Sequence, residues 1–190
     1  MDQVAVAPAD ARRRTSVVVT AAIAIALVVV FIVFAADAQW YTVFKMFHVG
    51  AAVIWVGGGI FITICALLAE LSNDDDQLLA IGHWAEVVAG RLFPIMSFVV
   101  LGFGIGMIEN LNWGWDHFWI VFGLIAWALS AATGILFLGP EAKRLNTVAA
   151  EQGSKSPQAQ ARLRRILLVA RVDVALMFVI VLDMVAKPFS

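Results

Sequence analysis

The sequence predicts an all-α membrane protein, a polytopic bundle of five transmembrane helices that forms one domain over residues 1–190. Hydrophobic residues make up 62% of the chain and charged residues 14%, and the mean hydropathy is +0.91. Soluble domains contain about 45–50% apolar and about 25% charged residues. A soluble fold of this length has too little interior to hide so much apolar surface, so lipid is its expected surrounding.

Five apolar stretches approach the length of about 20 residues that a membrane-spanning helix needs. The first, 17–36, has no charged residue and is longer than the apolar run of about 7–15 residues in a signal peptide, so we expect an uncleaved anchor. The other four helices are expected at 46–69, 78–108, 118–138 and 157–187.

Proline and glycine mark the helix boundaries. Pro94 predicts a break in the third helix near 91–94. Gly139 followed by Pro140 predicts the end of the fourth helix. Ser156 before Pro157 predicts the N-cap and the first residue of the fifth helix.

Basic residues decide the expected orientation, because cytoplasmic segments of membrane proteins carry an excess of Lys and Arg. They concentrate before the first helix and between the fourth and fifth helices: Arg12, Arg13, Arg14, Lys143, Arg144, Lys155, Arg162, Arg164 and Arg165. Five spans place both groups on one side. We therefore expect a bacterial plasma (inner) membrane, with the N-terminus cytoplasmic and the C-terminus outside. The formal net charge of −1 gives no reason to expect a nucleic-acid partner.

Ionisable side chains at membrane depth are rare and costly, so each is a candidate functional group. Two histidines fall near the outer ends of helices. His48 either binds a neighbouring helix as a structural contact or ligates a cofactor. His117 opens the fourth helix, where it either anchors the helix at the interface or supplies a second ligand.

Two charged residues of the fifth helix lie in its cytoplasmic half. Arg171 and Asp173 are two positions apart, so they do not face each other on one helix. We expect their partners on another helix, with Glu86 and Arg91 at similar depth. An interhelical network of structural ion pairs is favoured over a proton path.

The outer side also collects sulfur and oxygen donors. Imidazole and thioether groups are the donor set of b-type haem and of copper. The candidate haem b ligands are His48, His117, Met107 and Met184, and the candidate copper ligands are His48, His117 and Met46. Asp183 and Lys187, four positions apart at the outer end of the fifth helix, are expected to form a local ion pair.

Several short motifs resemble the CopD-like membrane superfamily, which includes the copper-resistance protein CopD and the HemJ-type protoporphyrinogen oxidases. The matching segments are Phe47-His48-Val49-Gly50, Arg91-Leu92-Phe93-Pro94-Ile95-Met96, Trp115-Asp116-His117, Arg171-Val172-Asp173 and Val185-Ala186-Lys187-Pro188-Phe189. The resemblance implies a four-helix core preceded by one additional helix, with haem b bound through His48. The position that carries a lysine in HemJ-type enzymes is Trp119 here.

Three functions stay open from the sequence. The first is a membrane-embedded protein that binds b-type haem and serves electron transfer or an oxidase reaction. The second is a copper-handling membrane protein. The third is a non-catalytic membrane subunit or assembly factor whose histidines are structural. Membrane lipid is the expected surrounding, and another membrane protein or a second copy of the chain is the expected protein partner.

Overall fold

Helices form all the regular structure of the described residues, which are 9–36, 38–72 and 75–189 of the computed structural model. The chain forms two compact units, Met1–Val43 and Phe44–Ser190. The predicted all-α class is therefore confirmed. The prediction of one domain over 1–190 stays a prediction.

Eight α-helices and three short π-helical segments are described. The α-helices are α1 (Ala9–Ala35), α2 (Trp40–Ala52), α3 (Gly58–Leu71), α4 (Asp75–Val87), α5 (Phe93–Asn110), α6 (Phe118–Ala132), α7 (Gly139–Gln152) and α8 (Pro157–Ala186). The π-helical segments Val53–Gly57, Val88–Leu92 and Thr133–Leu138 join α2 to α3, α4 to α5 and α6 to α7. Each joined pair is one continuous helix.

Four helical stretches of the described chain are long and apolar enough to cross a membrane: Ser16–Ala35, Trp40–Leu71, Ala80–Asn110 and Phe118–Gln152. The last helix, α8, is 30 residues long. It is not among the four, because Arg171, Asp173 and Asp183 fall in its apolar part. The chain thus has the architecture of a polytopic helical membrane protein, while the count of five spans stays a prediction.

In the second unit, four continuous helices close into a ring. Helix α3 packs on α4, α5 packs on α6, and α8 completes the ring through contacts with α6, α7 and α3. One buried cluster lies at the end where α3, α4, α7 and the start of α8 meet, and includes Ala69, Leu145 and Leu163. A second, built on Ile120 and Trp119, lies at the opposite end.

Large apolar side chains also cover the outside of the ring. Exposed examples from its four continuous helices are Phe61, Leu68, Phe98, Ile125, Leu136, Leu168, Val172 and Val185. Contiguous exposed apolar surface of this extent marks a membrane or protein contact. The outer surface of the ring is therefore suited to lipid.

The predicted end of the fourth helix at Gly139 and Pro140 is wrong. The chain continues helically through both residues to Gln152. A proline inside an α-helix removes one hydrogen bond and clashes with the carbonyl four residues earlier. Here a π-helical segment precedes it, and the Gly139 N–H donates to the Gly134 carbonyl, five residues back. The wider turn accommodates the ring of Pro140.

The third helix also continues through the predicted break near 91–94, and again a π-helical segment precedes the proline. The Phe93 N–H donates to the Val88 carbonyl, five residues back, and Pro94 follows directly. The helix continues without interruption through the π-helical segment. Sequence reasoning placed the irregularity correctly and misjudged its form.

The predicted start of the last helix is confirmed, because Ser156 is the N-cap of α8 and its Oγ accepts from the Ala159 N–H at 3.3 Å. Ser156→Ala is expected to lower the free energy of unfolding by about 0.5–2 kcal/mol, since the capped N–H loses its acceptor. Thermal unfolding in detergent measures the effect. Ser154→Ala is the matched control, because Gln160 bonds only the Ser154 backbone carbonyl. Equal losses in both variants would contradict a capping role.

Candidate functional site

His48 lies at the contact between α2 and α5. Its Nδ1 is 2.7 Å from the Val100 carbonyl oxygen. A carbonyl only accepts hydrogen bonds, so Nδ1 carries the proton. In the neutral ring the second nitrogen, Nε2, then keeps its lone pair. Metal-ligating histidines commonly show this arrangement, with one nitrogen donating to a backbone carbonyl and the other free to ligate.

Glycines make the close approach of α2 to α5 possible. A Cβ atom on Gly104 would lie 3.1 Å from the His48 ring, and one on Gly106 would lie 3.2 Å from the ring of Phe44. Beside them, Phe47 stacks on Phe103 with ring centroids 4.5 Å apart. Small residues at helix contacts in membranes allow such packing. The His48 side chain is half-buried and its ring is fixed by this contact.

His117 stands at a different place, as the residue that precedes α6. Its ring lies beside Trp119 with centroids 6.4 Å apart. In the described part of the chain, no hydrogen bond or ring contact joins His117 to His48. The shared depth that the sequence predicts for the two histidines therefore does not bring them into contact.

The candidate sulfur ligands are dispersed. Met184 packs with the cluster of Trp119 and Ile120, and its methyl group lies against Gly123. Met107 belongs to α5 and Met46 to α2. Met46 and His48 are two positions apart on one helix, so they point to different sides. Among the described residues, no three His, Cys, Asp or Glu side chains are grouped for a metal ion.

The ion pairs differ from those that the sequence predicts. Arg171 binds Glu70 of α3 rather than Glu86. Glu86 instead accepts a hydrogen bond from Asn146 of α7, and the side chain of Arg91 is exposed. The expected partners were chosen by depth along the membrane alone. The rotation of each helix about its axis, which depth does not specify, selected other ones.

The expected ion pair between Asp183 and Lys187 is also absent from the described residues. Asp183 is buried and its Oδ2 has no hydrogen-bond partner. The ammonium group of Lys187 lies over the rings of Trp113 and Trp119, 4.3 Å and 4.8 Å from their centroids. Lys187 ends α8 in a left-handed conformation, with φ of 43°. That turn carries its side chain towards the two indole rings instead of back along the helix.

A cavity of about 140 Å³ lies inside the ring of helices. Three buried polar residues line it: Asp173 of α8, Ser130 of α6 and Ser97 of α5. The Ser130 hydroxyl neighbours the Asp173 carboxyl. Within the described structure, however, neither Ser130 Oγ nor Asp173 Oδ1 makes a hydrogen bond of ordinary geometry.

Sequence reasoning missed Ser130 and Ser97 and assigned Asp173 to an ion pair. A signal for the serines exists, since Ser97 is the one hydroxyl residue in the stretch 93–108 and Ser130 shares the apolar stretch 118–138 with Thr133 alone. Serine is common in membrane helices as a packing residue, so the residue type alone does not distinguish the roles. The cavity distinguishes a packing serine from a functional one, because polar side chains from α5, α6 and α8 line it together.

Irregular backbone surrounds this cavity. Residues of the first and third π-helical segments, Trp55 and Gly134, line it, and so do Phe93 and Pro94, which directly follow the second. Single π-helical turns in α-helices occur frequently at functional sites. His48 is not among the residues that line the cavity. The cavity and the contact at His48 are two separate candidate sites.

The comparison with protein families decides what kind of protein this is. A family described as "Predicted integral membrane protein (DUF2269)" matches residues 42–188. The chain belongs to this family. The DUF2269 match begins in α2 and ends just after α8, so it includes both candidate sites. No curated protein and no solved structure matches the chain.

Membership of the DUF2269 family establishes an integral membrane protein. It confirms the expectation of an uncharacterised membrane family. The narrower resemblance to CopD and HemJ-type proteins is not part of that match. The family description names no cofactor or reaction for either candidate site.

Proposed function

We propose that the protein binds b-type haem in the membrane, with His48 as an axial ligand, and serves electron transfer or oxidation. The observation that carries the proposal is the hydrogen bond of 2.7 Å from His48 Nδ1 to the Val100 carbonyl. It leaves Nε2 as the free nitrogen and fixes the ring, as a haem ligand requires. The resemblance of the residues around His48 to the first core helix of HemJ-type proteins supports the same assignment.

The residues fit one axial ligand better than two. His48 is half-buried and its ring is held by the Val100 carbonyl, so His48 is the residue that would hold a haem. His117, Met107 and Met184 are the candidates for a second ligand, and the contacts of His117 and Met184 are with Trp119 and its neighbours. A bound haem supplies one-electron chemistry. The chain's own contribution is to orient the imidazole through the Val100 carbonyl and to surround it with apolar rings.

The orientation belongs to the same proposal. Five spans place the N-terminus in the cytoplasm and the C-terminus outside the plasma membrane of a bacterium. A basic and exposed end of α7 and α8 supports this orientation, because cytoplasmic segments carry an excess of Lys and Arg. The exposed basic residues are Lys143, Arg144, Lys155, Arg164 and Arg165. His48 then lies towards the outer side of the membrane.

Absorption spectroscopy tests the haem proposal. Protein purified in detergent from haem-replete cells is expected to show a Soret band and, after dithionite reduction, an α-band. His48→Ala is expected to abolish both, because the iron loses its ligand. His83→Ala is the matched control, since His83 is an exposed histidine of α4, and it should leave the spectrum unchanged.

Each other result selects a different function. A flat spectrum of the wild-type protein after haem supplementation excludes the haem proposal. Copper retained without haem, and lost in His48→Ala, favours the copper-handling alternative with Met46 and His117 as further candidates. A flat spectrum without metal, with lower thermal stability of His48→Ala, favours a non-catalytic subunit. In that case the histidine ties α2 to α5, and the partner is another membrane protein or a second copy.

A further inference from the structure

Asp173 is a buried acidic residue that forms no salt bridge with a basic side chain among the described residues. Asp173 is 9% exposed. The nearest basic residue along α8, Arg171, is bound to Glu70 of α3. The other acidic residue that lines the cavity, Glu86, is bound by Asn146, which carries no charge. Burial of an unpaired charge is so costly that a protein neutralises it or supplies a partner.

Two buried hydroxyl groups also line the cavity. Ser130 and Ser97 are each 2% exposed. Ser130 Oγ has no hydrogen-bond partner in the described structure. Ser97 donates its hydroxyl proton to the Pro94 carbonyl at 2.9 Å, which leaves the lone pairs of Ser97 Oγ able to accept. Carboxylate and hydroxyl oxygens together form a group of acceptors that suits a ligand with several donors.

The wall that carries Ser97 is held in place from α6. The indole Nε1 of Trp127 donates to the Ser97 carbonyl at 3.0 Å, and the ring of Trp127 meets that of Phe98 edge to face at 5.6 Å. These contacts fix α5 against α6. The two helices that carry Ser97 and Ser130 are therefore held in place relative to each other.

Most of the remaining lining is apolar, with aliphatic side chains from Ile62, Ile135, Leu138, Ile166 and Val174. Thr63, Glu86 and Arg171 also line the cavity, but Arg171 is bound to Glu70 and Glu86 to Asn146. A dry apolar cavity of about 150 Å³ binds benzene, and this cavity has a volume of about 140 Å³. A bare alkali or alkaline-earth ion requires about six or more oxygen ligands to replace its hydration shell. An aliphatic lining does not provide them.

From the cavity, its unpaired carboxylate and its apolar lining, we infer that this site binds a small lipophilic cation. The ligand class is a primary ammonium group on an apolar body about the size of benzene. The ammonium group donates to Asp173 and Ser130, and the apolar body occupies the aliphatic part of the cavity. This site is independent of His48, and its test does not involve haem.

Calorimetric titration of the full-length protein in detergent tests the inference with three probes. Benzylamine carries both the cation and the apolar body, benzyl alcohol lacks the charge, and ammonium chloride lacks the body. Benzylamine is expected to bind saturably, benzyl alcohol about tenfold more weakly because a charge-assisted bond is lost, and ammonium chloride not measurably. Sodium chloride serves as the probe for a metal ion.

Variants locate the site. Asp173→Asn is expected to weaken benzylamine binding by about tenfold or more. Asp183→Asn is the matched control, because Asp183 is a second buried aspartate of α8, 6% exposed, that does not line the cavity. It should bind benzylamine as the wild type does. Binding that is unchanged in Asp173→Asn overturns the inference, and so does saturable sodium binding of equal strength.

A cavity-filling variant keeps the test decisive if Asp173→Asn does not fold. Gly134 lines the cavity, and a Cβ atom there meets nothing within 4 Å. Gly134→Leu is expected to abolish benzylamine binding while Asp173 stays intact. Gly102→Leu, at a glycine of equal freedom outside the cavity, should retain it. Equal binding by both leucine variants would overturn the inference.

Discussion

Leu163→Ala is expected to lower the free energy of unfolding by about 2–5 kcal/mol, the range for removing a buried leucine side chain. Leu163 is 4% exposed and packs with Leu145 where α8 meets α7 and α3. Next to it, Arg162 is bound to Glu141 of α7 at 2.7 Å, which holds α8 against α7 beside the cluster. Denaturation in detergent, followed by circular dichroism, measures the loss.

The control for this prediction comes from the same helix. Leu168 is 63% exposed on the outer surface of α8, so Leu168→Ala removes the same atoms without opening a buried space. Its effect should stay within about 0.5 kcal/mol. Comparable losses in the two variants would show that the cluster around Leu163 is not a packed core.

Gly104→Leu is expected to destabilise the protein by about 1–3 kcal/mol relative to Gly102→Leu. A Cβ atom on Gly104 would lie 3.1 Å from both Cε1 and Nδ1 of His48, whereas one on Gly102 meets nothing within 4 Å. A leucine at 104 displaces the ring and breaks its bond to the Val100 carbonyl. Both changes remove a helical glycine, so the gain in helix propensity cancels in the comparison.

A double-mutant cycle shows whether the penalty acts through the imidazole. In a His48→Ala background the ring is absent, so Gly104→Leu should cost much less than in the wild type. Neighbours that interact give coupling energies of about 0.5–3 kcal/mol. A penalty that is the same in both backgrounds would place the strain elsewhere than at His48.

Hydropathy and turn residues predicted most of the fold. The apolar stretches predicted the all-α membrane architecture. Ser156 and Pro157 predicted the start of α8, because helix capping depends on local chemistry alone. Gly139 and Pro140 misled the prediction of a helix end. A π-helical turn depends on the packing of the surrounding helices, and nothing in the local sequence distinguishes it from a stop.

The candidate sites were less predictable than the fold. His48 was identified because a histidine at membrane depth is unusual, but its partner is a backbone carbonyl, which no sequence pattern marks. The partners of Arg171 and Lys187 depend on how each helix is rotated about its own axis. The cavity at Asp173 and Ser130 depends on four helices at once, and a single sequence records no such relation.

The charges of α8 bear on how the chain enters the membrane during synthesis. A charged residue at the centre of an isolated helix raises the free energy of insertion by about 2.5–3.5 kcal/mol, and the apolar part of α8 contains Arg171, Asp173 and Asp183. In the predicted five-span topology this helix would enter the membrane after the four helices that precede it in the chain. Its insertion would then be helped by the helices before it, because Glu70 of α3 binds Arg171. The predicted fifth span thus requires correct placement of the helices before it.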